Sequence, residues 1–105
     1  DYMHVYDLSI AHIKALRFLR EKSKSITLNC GYGKGYSVLE ILKIFKKMRK
    51  NLKINFVKRR RGDVAAVFSN TKKFKKTLKM RMNYDDIHKI LKSSMKWERI
   101  LKNRK

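Results

Sequence analysis

Ile26-Thr27-Leu28-Asn29-Cys30-Gly31-Tyr32-Gly33-Lys34-Gly35-Tyr36-Ser37-Val38-Leu39-Glu40 holds the transition on which the fold class turns. Its first five residues favour extended backbone, and three glycines at alternate positions then permit tight or left-handed turns. Ser37 with Glu40 has the spacing of a capping box, so a helix starts there. Val38, Ile41, Phe45 and Met48 follow at steps of three and four and carry that helix, one face inward, to about Arg49. The expected order is strand, glycine turn, helix. The turn is no nucleotide loop by its spacing: a dinucleotide fingerprint reads G-x-G-x-x-G, a Walker loop needs Lys and Ser/Thr after its last Gly, and here Gly35 is followed by Tyr36.

Upstream, Leu8, Ala11, Ala15, Leu16 and Leu19 recur with helical period, which predicts a helix over residues 7–20 with Asp7 as its N-cap. Residues 21–25 are polar and read as a loop. Downstream, Ile54-Asn55-Phe56-Val57 alternates like a second strand and runs into Lys58-Arg59-Arg60-Arg61-Gly62-Asp63. Val64 to Phe68 is a further short apolar piece. Ser69 or Asn70 then caps a lysine-rich helix ending near Leu78. A last helix begins with Asp85 and Asp86 in its first turn, where the helix dipole favours negative charge, and presents Ile87, Leu91, Ser94, Trp97 and Leu101; Lys102 to Lys105 are expected to fray. The sum is an α/β chain, or α+β as an isolated piece, of about four helices and two or three short strands.

The 105 residues carry 29 Lys and Arg against 8 Asp and Glu, a net charge of +21, with no proline and one cysteine. That length allows one core and excludes two full domains, and 43% hydrophobic residues are too many for a disordered basic tail. The lone Cys30 can make neither an intrachain disulfide nor a multi-thiol zinc site, which points to a reducing compartment, the cytoplasm. No apolar run reaches the ~18 residues of a membrane span, and the first residues lack the pattern of a signal peptide, so no membrane partner is expected. The charge is uneven: residues 1–42 hold 6 basic and 4 acidic side chains, residues 43–105 hold 23 and 4. A field of that sign attracts polyanions, but 20 of the 29 cations are lysines scattered at helical spacing, the pattern of solvated helix faces.

Few residues form a pattern that carries chemistry. His4, His12 and His88 have no second ligand at metal spacing and read as packing or surface residues; Ser9, Ser37, Ser93 and Cys30 have no nucleophile context. Arg59-Arg60-Arg61-Gly62-Asp63 is different. Guanidinium groups grip phosphate oxygens bidentately, a glycine lets backbone approach, and a carboxylate nearby can accept from sugar hydroxyls, a set suited to a nucleoside diphosphate. The competing reading of the run is a solvated charge cluster at a strand end. A reading from another class is a small basic nucleic-acid-binding module, which needs Arg59 to Arg61 and the pairs Lys72-Lys73 and Lys75-Lys76 on one continuous face.

Four motifs resemble those of one family. Asp1-Tyr2-Met3-His4-Val5-x-Asp7-Leu8-x-x-Ala11-His12 is similar to D-Y-I/L-H-V-x-D-L-A-x-A-H, and Asn29-x-Gly31-x-Gly33-x-Gly35-x-Ser37-Val38-Leu39-Glu40 to N-L-G-x-G-x-G-x-S-V-L-E. Arg59-Arg60-Arg61-Gly62-Asp63-Val64-Ala65 is similar to R-R-x-G-D-V-A, and Tyr84-Asp85 through Trp97 to a terminal helix with its tryptophan. In this order they resemble the C-terminal part of the UDP-glucose (UDP-galactose) 4-epimerases, extended short-chain dehydrogenase/reductases. The resemblance implies that residues 1–105 are a C-terminal UDP-sugar-binding domain fragment of an extended Rossmann-type enzyme, with the N-terminal NAD-binding domain absent from this sequence. It places a phosphate contact on Arg60 and a ribose contact on Asp63, with Arg61 and Gly62 shaping the loop between them, and Val67 beside the sugar pocket. In the family, NAD takes hydride from the sugar C4 and returns it to the other face. Neither the family's glycine-rich NAD fingerprint nor its catalytic Tyr-x-x-x-Lys occurs here, so the resemblance implies no catalytic residue, no cofactor bound by this chain alone and no activity of it alone. The partners it implies are a UDP-sugar, a separate NAD-binding half and a family-type homodimer, with nucleic acid bound only non-specifically. It also implies apolar surface on the 7–20 helix left bare without that other half. The chain departs from the family pattern at Cys30, Tyr32 and Leu78-Lys79-Met80.

Overall fold

The computed structural model describes residues 1–104. Four helices follow one another: α1 (Val5–Lys22), α2 (Val38–Met48), α3 (Lys72–Leu78) and α4 (Ile87–Asn103). The expected four helices are present, and the expected strands at 26–30, 54–57 and 64–68 are absent: no strand occurs among the described residues. The reason is that a strand exists only by pairing. Each segment has the residue types for one, yet none pairs in a ladder with another, and Phe56 and Val57 stand 83% and 84% exposed.

The helix ends show which local signals suffice. At α2 the capping box forms in full: the Glu40 amide donates to Ser37 Oγ (3.1 Å) and the Ser37 amide to Glu40 Oε2 (2.7 Å). Hydrogen bonding to the carboxylate from the Ser37 backbone amide, and then from the Ser37 side chain, holds the Glu40 carboxyl below its ordinary value. At α4, Asp86 is the N-cap rather than a first-turn residue, accepting from the amides of His88 (2.9 Å) and Lys89 (3.4 Å). At α3 the N-cap is Thr71, which is buried and makes no side-chain cap bond, whereas Asn70 Oδ1 accepts from the Lys72 amide at 3.3 Å. α4 continues as helix to Asn103 where fraying was expected; Lys105 lies outside the described residues.

α1 corrects the sequence reading most. It starts two residues early because His4 takes the N-cap, its Nδ1 accepting from the Tyr6 amide at 3.0 Å. Asp7 therefore sits inside the first turn with no exposed surface. Its carboxylate accepts from Tyr32 Oη (2.6 Å), the Tyr84 amide (2.9 Å) and the Asn83 amide (3.1 Å), so α1, the glycine turn and the entry to α4 meet on one side chain. Burial alone would raise the Asp7 carboxyl; the bonds from Tyr32, Tyr84 and Asn83 outweigh it and leave the group below its ordinary 3.8. Tyr32 is pushed strongly upward, by burial and then by donating to Asp7.

Two separate apolar clusters flank this centre. Ala11, Phe74 and Leu78 pack with Met3, Phe18, Leu28, Met80 and Met82, joining α1 to α3. Ile41, Ile87 and Leu91 pack with Tyr36, Ile44, Phe45, Met48 and Ile90, joining α2 to α4. Other members of the expected stripes are uncovered: Leu16 (57%), Leu19 (44%), Val38, Trp97 and Leu101. The radius of gyration is 16.9 Å, against about 13 Å for a compact chain of this length. Likewise the accessible surface is 9372 Å², where a globular monomer of this mass exposes roughly 6,200 Å². Helix pairs this open leave apolar surface for something else to cover.

Two outcomes follow. Asp7→Asn sets an amide group against three donors and lowers stability by about 3 kcal/mol, and Tyr32→Phe, which removes one donor, by about half that. The carboxylate's contribution is present above its ordinary value and is lost as pH falls through the lower value it has in the fold. Urea midpoints measured from about pH 5 to about pH 2 therefore drop more steeply for the parent chain than for Asp7→Asn; parallel curves would contradict this. Second, the bare α1 face makes the isolated chain self-associate once salt screens its +21 charge. Light scattering that rises with salt, and is suppressed by Leu16→Lys with Leu19→Lys at unchanged helicity, is the expected result; a monodisperse parent chain at high salt would refute it.

Candidate functional site

Residues 60–63 form a β-turn. The Asp63 amide donates to the Arg60 carbonyl at 3.2 Å, and Gly62 in third place has φ +88°, the conformation that a type II turn demands and that glycine adopts without strain. The Asp63 carboxylate folds back on the same turn, its Oδ2 accepting from the Arg60 amide (3.2 Å) and lying 3.5 Å from Arg60 Nε. The structure thus brings Arg60, Arg61, Gly62 and Asp63 together in one turn. The whole stretch from Asn55 to Phe68 is exposed, and the Arg60 side chain is 86% so. An exposed i,i+3 ion pair is worth at most ~1 kcal/mol. A diphosphate offering several anionic oxygens to adjacent guanidinium groups can displace it.

The glycine turn is a different object. The amides of Tyr32 and Gly33 donate to the Asp1 carboxylate (3.2 and 2.9 Å), which also accepts from Ser69 Oγ at 2.8 Å. A Cβ at Gly31 would strike that carboxylate and the Ser69 hydroxyl, and Gly33 combines φ +75° with close approach of Thr71 Oγ1. The amides that a phosphate cradle would use are engaged by the chain's own carboxylate. The turn is a packing junction against Asp1, Ser69 and Thr71.

The remaining candidates have structural roles. His4 stacks on Tyr84 at 4.1 Å between centroids. With Nδ1 accepting from Tyr6, its proton lies on Nε2, which faces Ser93 Oγ at 2.9 Å; Ser93 in turn donates to the Ile90 carbonyl at 2.8 Å. His12 Nδ1 lies 2.8 Å from the Leu8 carbonyl in its own helix. No group of three or more potential ligands able to hold a metal occurs among the described residues. Lys34 Nζ pairs with Asp85 Oδ1 at 3.0 Å, which raises the ammonium above its ordinary value and ties the glycine turn to α4. Lys73 Nζ donates to the Thr27 carbonyl (3.0 Å) and Lys75 Nζ to the Tyr32 carbonyl (3.1 Å). Two of the four α3 lysines required by a nucleic-acid face are thus bonded to carbonyls of the chain itself, although both residues remain exposed, and that reading gains no support.

Sequence reasoning missed Asp7 and Tyr32 as partners. A signal existed: Asp7 stands four residues before Ala11 on the inward face of its helix, where an unpartnered carboxylate is not tolerated. Nothing local indicated that its partner would be a tyrosine between two glycines.

No family model matches the chain, and no solved structure does. Curated relatives do. The chain is 38% identical over 98 residues to the UDP-glucose 4-epimerase of Lacticaseibacillus casei, covering 92% of this chain and 30% of the relative. It is 34% identical over 102 residues to the UDP-glucose 4-epimerase of Azospirillum brasilense (96% and 29%). It is also 35% identical over 104 residues to UDP-arabinose 4-epimerase 1 of Arabidopsis thaliana (98% and 25%). The chain spans about three-tenths of the length of the relatives it matches. A match along nearly all of these 105 residues makes this chain a member of the UDP-glucose 4-epimerase family that corresponds to the family's C-terminal part.

Proposed function

We propose that residues 1–105 are the UDP-sugar-binding part of a 4-epimerase, and that their site is the turn Arg60-Arg61-Gly62-Asp63. The observation that carries this reading is the turn itself: a positive-φ glycine brings an arginine and a carboxylate onto one another in an exposed loop. A diphosphate would take the Arg60 and Arg61 guanidinium groups and release Asp63. The freed carboxylate then faces outward, able to accept from ribose hydroxyls. Binding and orientation are the contribution of this chain; no proton transfer or bond-making step is assigned to its residues.

NAD does not fit these residues, because the glycine turn is closed by Asp1 and no dinucleotide fingerprint occurs in the sequence. On this reading the cofactor and the catalytic groups reside outside residues 1–105, in an NAD-binding half that also covers the bare face of α1. The chain alone is then inactive as an epimerase. A family-type homodimer and a cytoplasmic place of work belong to the same reading; no helix among the described residues is long and apolar enough to cross a membrane.

Supplied with the NAD-binding half of a UDP-glucose 4-epimerase, the chain should bind UDP, and Arg60→Ala should weaken that binding by about 1.5–3 kcal/mol, the worth of a charge-assisted contact. Isothermal calorimetry with UDP measures it. Equal affinities for parent and variant would remove Arg60 from the site.

A further inference from the structure

α2 and α4 lie side by side and run in the same direction. Their N-terminal ends meet, since Tyr36, Glu40 and Ile44 border one depression with Asp85, Ile87 and His88. Their C-terminal halves enclose a groove of ≈ 590 Å³, a size within the range of small-molecule sites. Helical spacing sorts its lining along the axis. On α2, Leu42 and Phe45 are followed by Arg49 at the helix C-cap; on α4, Met95 is followed by Arg99 and then Lys102. Because the helices are parallel, Leu42, Phe45 and Met95 lie toward one end of the groove and Arg49, Arg99 and Lys102 toward the other; Leu52, which follows Arg49 in the chain, also lines it. Glu98 is the single acidic residue in the lining.

This one-way gradient selects among occupants. An acidic amphipathic helix carries its charge along its whole outer side, not at one end. A second copy of this chain would bring another +21 against a cationic rim. A molecule with one alkyl chain and one anionic head matches: the chain along Leu42, Phe45 and Met95, the head among Arg49, Arg99 and Lys102. We propose that the α2/α4 groove is a binding site for a single-chain anionic amphiphile of the long-chain carboxylate class. It shares no residue with the turn at Arg60 to Asp63.

The test is titration of the 105-residue chain with laurate below its micellar concentration, followed by calorimetry and by the fluorescence of Trp97. Expected are one laurate per chain, a loss of about tenfold in affinity for Arg99→Gln with Lys102→Gln, and a comparable loss for Leu42→Gln. Lys72→Gln with Lys76→Gln makes the same change in net charge on α3 and should leave binding unchanged, as should Arg60→Ala. Monolaurin, with the same tail and no charge, should bind at least about tenfold more weakly than laurate. The proposal is overturned if laurate does not bind, or if several equivalents bind whichever lysine or arginine pair is neutralised. Equal binding of monolaurin, or binding only to phosphatidylglycerol vesicles, overturns it as well. Arg99 and Lys102 are exposed, so their variants decide the matter even if Leu42→Gln loses helicity.

Discussion

Three segments far apart in sequence are held in register by a single carboxylate. Asp7 has no exposed surface, and its two oxygens accept from a phenol in the glycine turn and from two successive amides at the entry to α4. A buried carboxylate with fewer donors would be expensive, so once α1 closes over Asp7 the other two segments must bring theirs. Much else follows from that constraint. Tyr32 lies between glycines because the backbone there passes against Asp1, Ser69 and Thr71. Tyr84 is held where its ring can stack on His4, and His4 thereby caps α1 while facing Ser93 of α4.

Helices were legible in the sequence where the signal was local. Ser37 and Glu40 specify both bonds of their capping box within four residues, and the α2 helix begins where they place it. The strands were not legible in the same way. Ile54 to Val57 has the composition of a strand, but pairing depends on a second segment that composition cannot supply. Asp7 illustrates the opposite error: the residue type suits an N-cap, but His4, three residues earlier, supplies the acceptor and draws the carboxylate inside. Of the candidate site, the run Arg59 to Asp63 stood out in the sequence, but the turn at Gly62 that folds Asp63 back onto Arg60 did not. The engagement of the Gly31 to Gly33 turn by Asp1 was not legible either, because it joins positions some thirty residues apart.

The family membership and the open shape support one another. A chain that spans about three-tenths of its relatives' length and exposes half as much surface again as a globular monomer has faces shaped for contact. Leu16 and Leu19 on α1 are one such face, and the cationic turn, exposed on every side, is another. Under the proposed function both would be halves of larger surfaces, whereas the α2/α4 groove is lined from two helices of this chain.

The two apolar clusters share no residue, and between them lie the packing of the His4 and Tyr6 rings on Tyr84 and a set of polar bonds: Asp7 to Tyr84, His4 to Ser93, Lys34 to Asp85. Directional bonds of this kind fix orientation but transmit little of the volume strain that tightly interdigitated cores pass from one residue to the next. Each helix pair can therefore drift in sequence on its own terms. The packing around Phe74 can be rebuilt without regard to Ile41, provided that the handful of hydrogen-bonding side chains between them stays in place.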